Sequence, residues 1–332
     1  MKSKKVKIFI LLFISIFLFS FCNANDIIKT NPPILTSIES SSSQISELPD
    51  TANPSTQQSI TGKLKISYLD VGQGDSIFII LPNGETVLID AGEKKNSSDI
   101  IQYIHDSGKN ALDYVIATHP HADHIGGMAE VLKAFDTKNV YMPKVEHTTV
   151  TFENLLDTIE GKGLIIQTAK AGETLFDFGN MKAEFIAPGK DSYSNLNNYS
   201  AVFMLTYNNR HFLFMGDAEQ EVEMEILASS YNITADVLKV GHHGSHTSSI
   251  RRFVEAVNPS VAVISSGKNN SYGHPAHDTI IMLNEFNINI WRTDESGIAV
   301  VVCDGENITL NNIAVSIQPN APPDTSANES KP

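Results

Sequence analysis

Cysteine is nearly absent from this chain. The two present, Cys22 and Cys303, lie near opposite ends of the sequence, so no disulfide framework supplies its stability. Cys303 falls inside the apolar run "IAVVVCDG" and reads as a buried core residue. Positive charge is also scarce: 24 lysines and arginines face 38 aspartates and glutamates, a formal net charge of −14. That balance excludes broad passive adhesion to nucleic acid or anionic lipid, so phosphate can be held only by a local positive site or by bound cations. Beyond the N-terminal segment no apolar run is long enough to span a membrane. What remains, at 332 residues and 41% hydrophobic content, is enough chain to bury a sizeable core.

The first segment, "MKSKKVKIFILLFISIFLFSFCNAND", places Lys2, Lys4, Lys5 and Lys7 ahead of about fourteen apolar or small residues and then "CNA". This is the pattern of a secretory signal, 1–24, cut after Ala24. The alternatives are an uncleaved membrane anchor and a lipidated Cys22, although bulky Phe21 precedes that cysteine. The expected location is therefore outside the cell, secreted or attached to the outer face of the membrane. Residues 25–61 are rich in Ser, Thr, Pro and Asn and predict a disordered tether; 318–332 have the same character and predict a disordered tail. The predicted folded unit is 62–317.

Within that unit the runs "KLKISYLDV", "DSIFIIL", "TVLIDA", "DYVIATH", "MKAEFIA", "SAVFMLTY", "HFLFMGD", "ADVLKVG", "SVAVISS" and "GIAVVVC" predict strands. Helical patterns such as "SDIIQYIHDSG", "GMAEVLKAF", "TFENLLDTIEGKG", "EQEVEMEILASS" and "SIRRFVEAV" lie between several of them. Hairpin links "PNGE" and "NNRH" open each half, so the sheets should be mixed. An α/β chain of this kind is most economically layered as two packed sheets covered by outer helices.

One stretch concentrates ionisable groups. In "ATHPHADHIGGM" a buried strand delivers His119, His121, Asp123 and His124 into one turn, and Gly126 and Gly127 lead into a helix. Pro120 ends the strand ladder and small Ala122 tightens the turn, so the side chains can converge. Imidazole nitrogen and carboxylate oxygen are ligands for zinc and similar divalent ions, and four donors at this spacing point to a metal site.

"THPHADHIGG" resembles the signature of the metallo-β-lactamase superfamily. With "LDVGQGDS", "LIDAG", "NNYSAV", "MGDAEQ", "LKVGHHGS" and "SYGHP" the chain resembles the hydrolase domain of ComEC-type DNA-uptake proteins and their stand-alone relatives, across 62–317. The resemblance implies a four-layer αββα sandwich, two mixed β-sheets flanked by helices, holding two divalent metal ions, zinc foremost and manganese the alternative. It implies that His119 and His121 hold one ion, Asp123 and His124 the other, and that Asp217 bridges them. His242 or His243 completes the second site, and the other contacts substrate phosphate or passes a proton to the leaving group. Many superfamily members carry a further histidine where "NLNNYSAV" places Asn198 and Ser200, so the first site should be the more weakly occupied. Asn198, Ser200 and His274 are expected at the substrate pocket, and Asp90 behind the metal loop. His147 and His211 fit no motif. Gly72 and Gly74 in "DVGQGDS" suit a tight turn between strands or a phosphate cradle.

The expected reaction is hydrolysis of a phosphodiester, DNA or another nucleic acid, by metal-activated water, with Asp123 and the "HHGS" histidines as the proton-handling groups. No stable protein partner is implied. The same donors could serve a small ester, lactone, β-lactam or cell-surface phosphodiester, because fold does not choose the substrate. A metal-binding accessory surface protein with little activity is the third reading.

Overall fold

In the computed structural model, which describes residues 60–317, the apolar runs pair into two mixed sheets. The signal segment, Cys22, nearly all of the tether and the tail lie outside the described residues. Strands β1 (Leu64–Tyr68), β2 (Ile77–Ile80), β3 (Thr86–Ile89), β4 (Ala111–Ile116), β5 (Asp136–Met142) and β6 (Ile166–Thr168) form most of the first sheet. The chain then builds the second from β7 (Thr174–Phe178), β8 (Met181–Ala187), β9 (Val202–Tyr207), β10 (Arg210–Phe214), β11 (Val237–Lys239), β12 (Val261–Ile264) and β13 (Asn289–Arg292). It returns to the first sheet with β14 (Ala299–Cys303), β15 (Ile308–Leu310) and β16 (Ile313–Ala314). The orders are β16-β15-β14-β1-β2-β3-β4-β5-β6 and β13-β12-β11-β10-β9-β8-β7.

Each half begins antiparallel and ends parallel. Strands β1 to β3 and β7 to β10 are hairpin-linked, whereas β3 to β6 and β10 to β13 run parallel. Parallel neighbours need crossovers. These are α1 (Ser97–Asp106), α2 (Ala122–Ile125), α3 (Met128–Ala134) and α4 (Val150–Gly161) in the first half, and α5 (Gln220–Ala228), α6 (Arg251–Val257) and α7 (His277–Glu285) in the second; a short α8 (Thr293–Ser296) leads into β14.

The period-2 alternation of the strands divides the core into three layers. Ile77, Ile79, Val87 and Ile89 join Phe185, Phe203, Phe212 and Phe214 between the sheets. Phe78, Leu88 and Val115 point the other way, onto Ile100 and Ile104 of α1, Val131 of α3 and Leu155 of α4. On the far side, Met204, Leu213 and Leu238 meet Val222 of α5, Phe253 of α6 and Leu283 of α7. The result is the αββα layering expected from the sequence, with Cys303 buried in the central layer.

Six strands, β5, β6, β7, β13, β15 and β16, fall outside the apolar runs of the sequence. "DTKNVYM" (β5) opens on four polar residues, of which only Thr137 is buried, before the buried Val140–Met142, and β13 is half-exposed throughout most of its length. No helix among the described residues is long and apolar enough to cross a membrane.

This topology puts the C-terminal ends of β3, β4, β10, β11 and β12 at one edge, where loops of parallel strands build sites.

Candidate metal centre

The metal loop starts from strand register. Ile89 pairs with Ile116, so the chain leaves β3 and β4 side by side. Asp90, at φ 56, turns its carboxylate across this exit. It accepts from Thr118 N at 2.8 Å, from Thr118 Oγ1 at 2.6 Å and from His124 Nδ1 at 2.7 Å. One turn of helix, α2, then sets Asp123 and His124 over the same spot. Glycine is required on both flanks. A Cβ on Gly127 would stand 2.3 Å from Ala91 O, and one on Gly74 would stand 2.2 Å from Asp123 O. The β1–β2 turn therefore lies against the metal loop, with Asp75 N donating to Asp123 O at 3.2 Å.

After β11 the turn "GHHG" places His242 (φ 46, ψ 47), His243 (φ 54, ψ 24) and Gly244 (φ 79) successively in the left-handed region. Two non-glycine residues in that region store strain, which surrounding contacts must hold. His243 is buried and donates from Nδ1 to Ser265 O at 3.0 Å. His242 is half-buried and is gripped at Nδ1 by Thr247 Oγ1 at 3.1 Å and Glu219 Oε1 at 3.2 Å.

These loops bring seven sequence-predicted residues together. His124 Nε2 stands 3.2 Å from Asp217 Oδ1 and 3.8 Å from Asp123 Oδ2. His243 Nε2 stands 3.4 Å from Asp123 Oδ2 and 3.5 Å from Asp217 Oδ2. On the other side of Asp217, His119 Nε2 lies 3.7 Å from Oδ2 and 3.0 Å from His121 Nδ1. Two donor clusters result, Asp123–His124–Asp217–His243 and His119–His121–Asp217, each with ligand atoms within 4.8 Å of one another. Asp217 belongs to both. His242 Nε2 is 3.9 Å from Asp217 Oδ2 and belongs to neither.

The outer contacts decide which ring nitrogen faces inward. Thr118 Oγ1 spends its proton on Asp90, so His119 Nδ1 must donate to it across 3.1 Å. His124 and His243 likewise spend Nδ1–H on Asp90 and Ser265 O. In all three rings Nε2 is left pointing inward. His124 Nε2, His243 Nε2 and Asp217 Oδ1 are buried with no hydrogen-bond partner. Buried polar atoms are normally paired. Orphaned donors of this type, with their other faces fixed by carboxylate or carbonyl, match the needs of a divalent cation.

Electrostatics agree. Burial raises the Asp217 carboxyl, but His124 and His243 outweigh it and hold it well below the ordinary range. Burial disfavours charge on His124, yet Asp217, Asp123 and Asp90 push it well above the ordinary histidine value. His119 goes the other way, lowered by burial and by His124. The space between Asp123, His124, Asp217 and His243 thus favours positive charge.

Behind His243 stands a feature that the motifs did not single out. Asp75 and Lys239 are both buried and form an ion pair at 2.9 Å, while Asp75 Oδ1 comes within 3.5 Å of His243 Nδ1. Burial raises the Asp75 carboxyl, but Lys239 and His243 bring it down to about 2. Lys239 was legible as a lone cation in the apolar strand "VLKV". Ser200 Oγ lies behind His119, 3.5 Å from Nδ1, and accepts from Asp217 N at 3.0 Å. Asn198 turns away to Glu221 Oε2 and Glu219 N, at 3.0 and 3.1 Å. Its neighbour Asn197 reaches the site instead, 3.4 Å from His242 Nε2 and 2.9 Å from Glu219 Oε1. His274 packs 5.3 Å from His242 and 6.2 Å from His243, ring centre to ring centre. His147 lies beside His121, at 6.5 Å, whereas His211 lies on β10 against Asp236 and Thr206.

Residues 69–268 match the model of the metallo-beta-lactamase superfamily, and the chain belongs to that superfamily. Its relatives include proteins named for competence. It is 32% identical over 250 residues to "ComE operon protein 3" of Bacillus subtilis, a match covering 70% of this chain and 32% of that one. "Recombination protein 2" of Haemophilus influenzae is 29% identical over 70% of this chain and 28% of its own length. "Competence protein ComA" of Neisseria gonorrhoeae is 29% identical, covering 70% and 31%. The chain thus spans about a third of the length of these curated relatives. Among solved structures, the metallo-beta-lactamase fold protein YhfI of Bacillus subtilis superposes with a TM-score of 0.48 at 13% identity, covering 70% of this chain and 98% of that one.

Proposed function

We propose that this chain is a metal-dependent phosphodiesterase that cleaves nucleic acid. The observation that carries the metal is the set of inward, unpartnered atoms, His124 Nε2, His243 Nε2 and Asp217 Oδ1. In this reading His119, His121 and Asp217 hold one ion, and Asp123, His124, His243 and Asp217 hold the second. His243 therefore takes the ligand role and His242 the substrate-side role. Divalent ions held there would bring a bound water toward neutral pKa and offset charge on phosphate oxygens. Asp123, the most exposed of the four donors in its cluster, orients the attacking water and takes its proton at Oδ2. His242, its ring fixed by Thr247 and Glu219, passes a proton from Nε2 to the leaving oxygen. Support for nucleic acid comes from the competence proteins among the relatives. Export directed by 1–24 belongs to the same reading, and the N-terminal mass of the mature protein tests it.

A substrate panel tests the function. The full chain, loaded with zinc and with manganese in parallel, should turn over bis(p-nitrophenyl) phosphate and single-stranded DNA and leave nitrocefin and lactones intact. Elemental analysis should find up to two ions per chain. Turnover of nitrocefin or a lactone alone would replace the phosphodiester reading with the small-ester one, and bound metal without turnover on any substrate would favour the accessory role.

A further inference from the structure

Among the described residues the Phe, Tyr and Trp side chains are buried or half-buried, except Tyr272 at the rim of the metal centre, which is 71% exposed. Its ring is stacked on His274, with centroids 5.7 Å apart and planes 24° from parallel. His274 in turn packs at 5.3 Å from His242 and 6.2 Å from His243. Tyr272 is therefore two ring contacts away from the donors that face Asp217.

The loop that presents it is closely specified. Asn270 Oδ1 accepts from Tyr272 N at 3.1 Å and from His274 N at 3.0 Å. Asn270 Nδ2 donates to Gly267 O at 2.9 Å and also to His274 O. Gly273, at φ 74, makes the reversal between the two rings. Gln73, from the β1–β2 turn, accepts from Gly267 N at 3.2 Å and ties the loop to the metal side. The loop is ordered by these contacts, yet the Tyr272 ring stands largely in water and gains little from core packing. Lys268 is exposed on the same loop.

The geometry points to a nucleobase-stacking subsite: Tyr272, backed by His274, receives an unpaired base of a single-stranded nucleic acid next to the phosphate being cleaved. Two further facts fit. With a net charge of −14 the chain has little general electrostatic grip on a polyanion, so stacking supplies affinity that charge does not. A duplex keeps its bases paired and offers no free ring face to a side chain at the rim. Sequence tolerance follows, because every base has such a face. This subsite rests on the phosphodiesterase reading for its chemistry, but not for its binding.

The test compares a single-stranded oligodeoxynucleotide with an abasic strand of the same length, using the full metal-loaded chain. The native protein should prefer the base-bearing strand, by KM, by about 5- to 150-fold, the equivalent of one stacked base. Tyr272→Ala should bring that preference to unity, and Tyr272→Phe, which keeps the ring face, should restore it. A strand carrying 2-aminopurine provides a readout without turnover: its fluorescence should be quenched by the native protein and by Tyr272→Phe, and much less by Tyr272→Ala. Equal KM for the two strands in the native protein would overturn the subsite while leaving the hydrolase intact. Quenching that depends on Tyr272 in a protein that hydrolyses neither strand would keep the subsite and overturn the phosphodiesterase. A base preference unchanged in Tyr272→Ala would also overturn the subsite.

Discussion

The two donor clusters around Asp217 are built to different standards. In the Asp123–His124–Asp217–His243 cluster both imidazoles are fully buried, and each is fixed from behind, His124 by Asp90 and His243 by Ser265 O with Asp75 near. In the His119–His121–Asp217 cluster only His119 is so held, by Thr118 and Ser200, while His121 is half-buried and has the half-buried His147 as its outer neighbour. The first of these clusters also offers four donors against three. A metal's affinity depends on how much ordering its ligands must undergo, so the pre-ordered cluster should bind tightly and the other should exchange. Ser200 stands behind this weaker cluster, on the Nδ1 side of His119, where its hydroxyl accepts from Asp217 N.

The strongest test removes what the clusters share. Asp217→Asn keeps size and takes away the carboxylate common to both, so turnover of bis(p-nitrophenyl) phosphate should fall about 10⁴-fold and both ions should be lost. Retention of one ion by elemental analysis would show that the clusters are independent and that Asp217 does not join them. Next in size is the buried ion pair. Lys239→Met leaves Asp75 charged and unpaired beside His243, at an expected cost of about 3–5 kcal/mol in unfolding free energy. Asp75→Asn on that background should recover much of the loss in urea melts. Additive losses would show that the two side chains do not act as a pair.

Asp90→Asn acts directly on the better-ordered cluster and reaches His119 of the other only through Thr118. It weakens the acceptor for His124 Nδ1 and Thr118, and chelator competition should show the tighter ion binding about 10- to 100-fold less firmly. Ser200→Ala, the matching change behind His119, should shift the looser ion by less than about tenfold. If the two variants weaken the same ion equally, the asymmetry between the clusters is wrong.

The layers and the donor-rich turn were readable in the sequence, but unevenly. The ligand turn was plain, because four donors and two glycines at fixed spacing in "HPHADHIGG" leave few other uses for those residues. The layers were also plain, since β2, β3 and β10 alternate cleanly between two apolar environments. Choosing between His242 and His243 was not possible from "GHHGS": adjacent residues differ in direction only through the left-handed backbone they share, and that conformation has no mark in the letters. Asn198 and Asn197 were confused for a similar reason, because one residue of offset in a 3-10 turn, Leu196–Tyr199, exchanges the inward and outward faces. Asp75 went unremarked because its partner, Lys239, is remote in sequence and close only after β1–β2 and β11 have been placed in different sheets.

The last effect concerns what lies behind the His242–His243 turn and separates its own contacts from those of the segment that follows. Glu223 of α5 accepts from Ser249 N and from Ile250 N, the latter at 2.9 Å, and so holds the stretch that leaves "GHHGS" and enters α6. Burial raises its carboxyl to about 7 from an ordinary 4.5, against the pull of those two backbone donors. A folded-state pKa above the unfolded one means that folding favours the protonated form. Below about 4.5 both states are protonated and nothing is lost; as pH rises from 4.5 to 7 the unfolded chain ionises first and the folded state loses stability. Above 7 the penalty is complete and flat. Glu223→Gln removes the titration, so the gap in unfolding free energy between the variant and the native chain should shift toward the variant by up to about 3 kcal/mol across that window, read from urea midpoints at a series of pH values. Parallel profiles for the two proteins would mean that Glu223 stays ionised when folded, and that the turn carrying His243 rests on a charged cap instead of a neutral one.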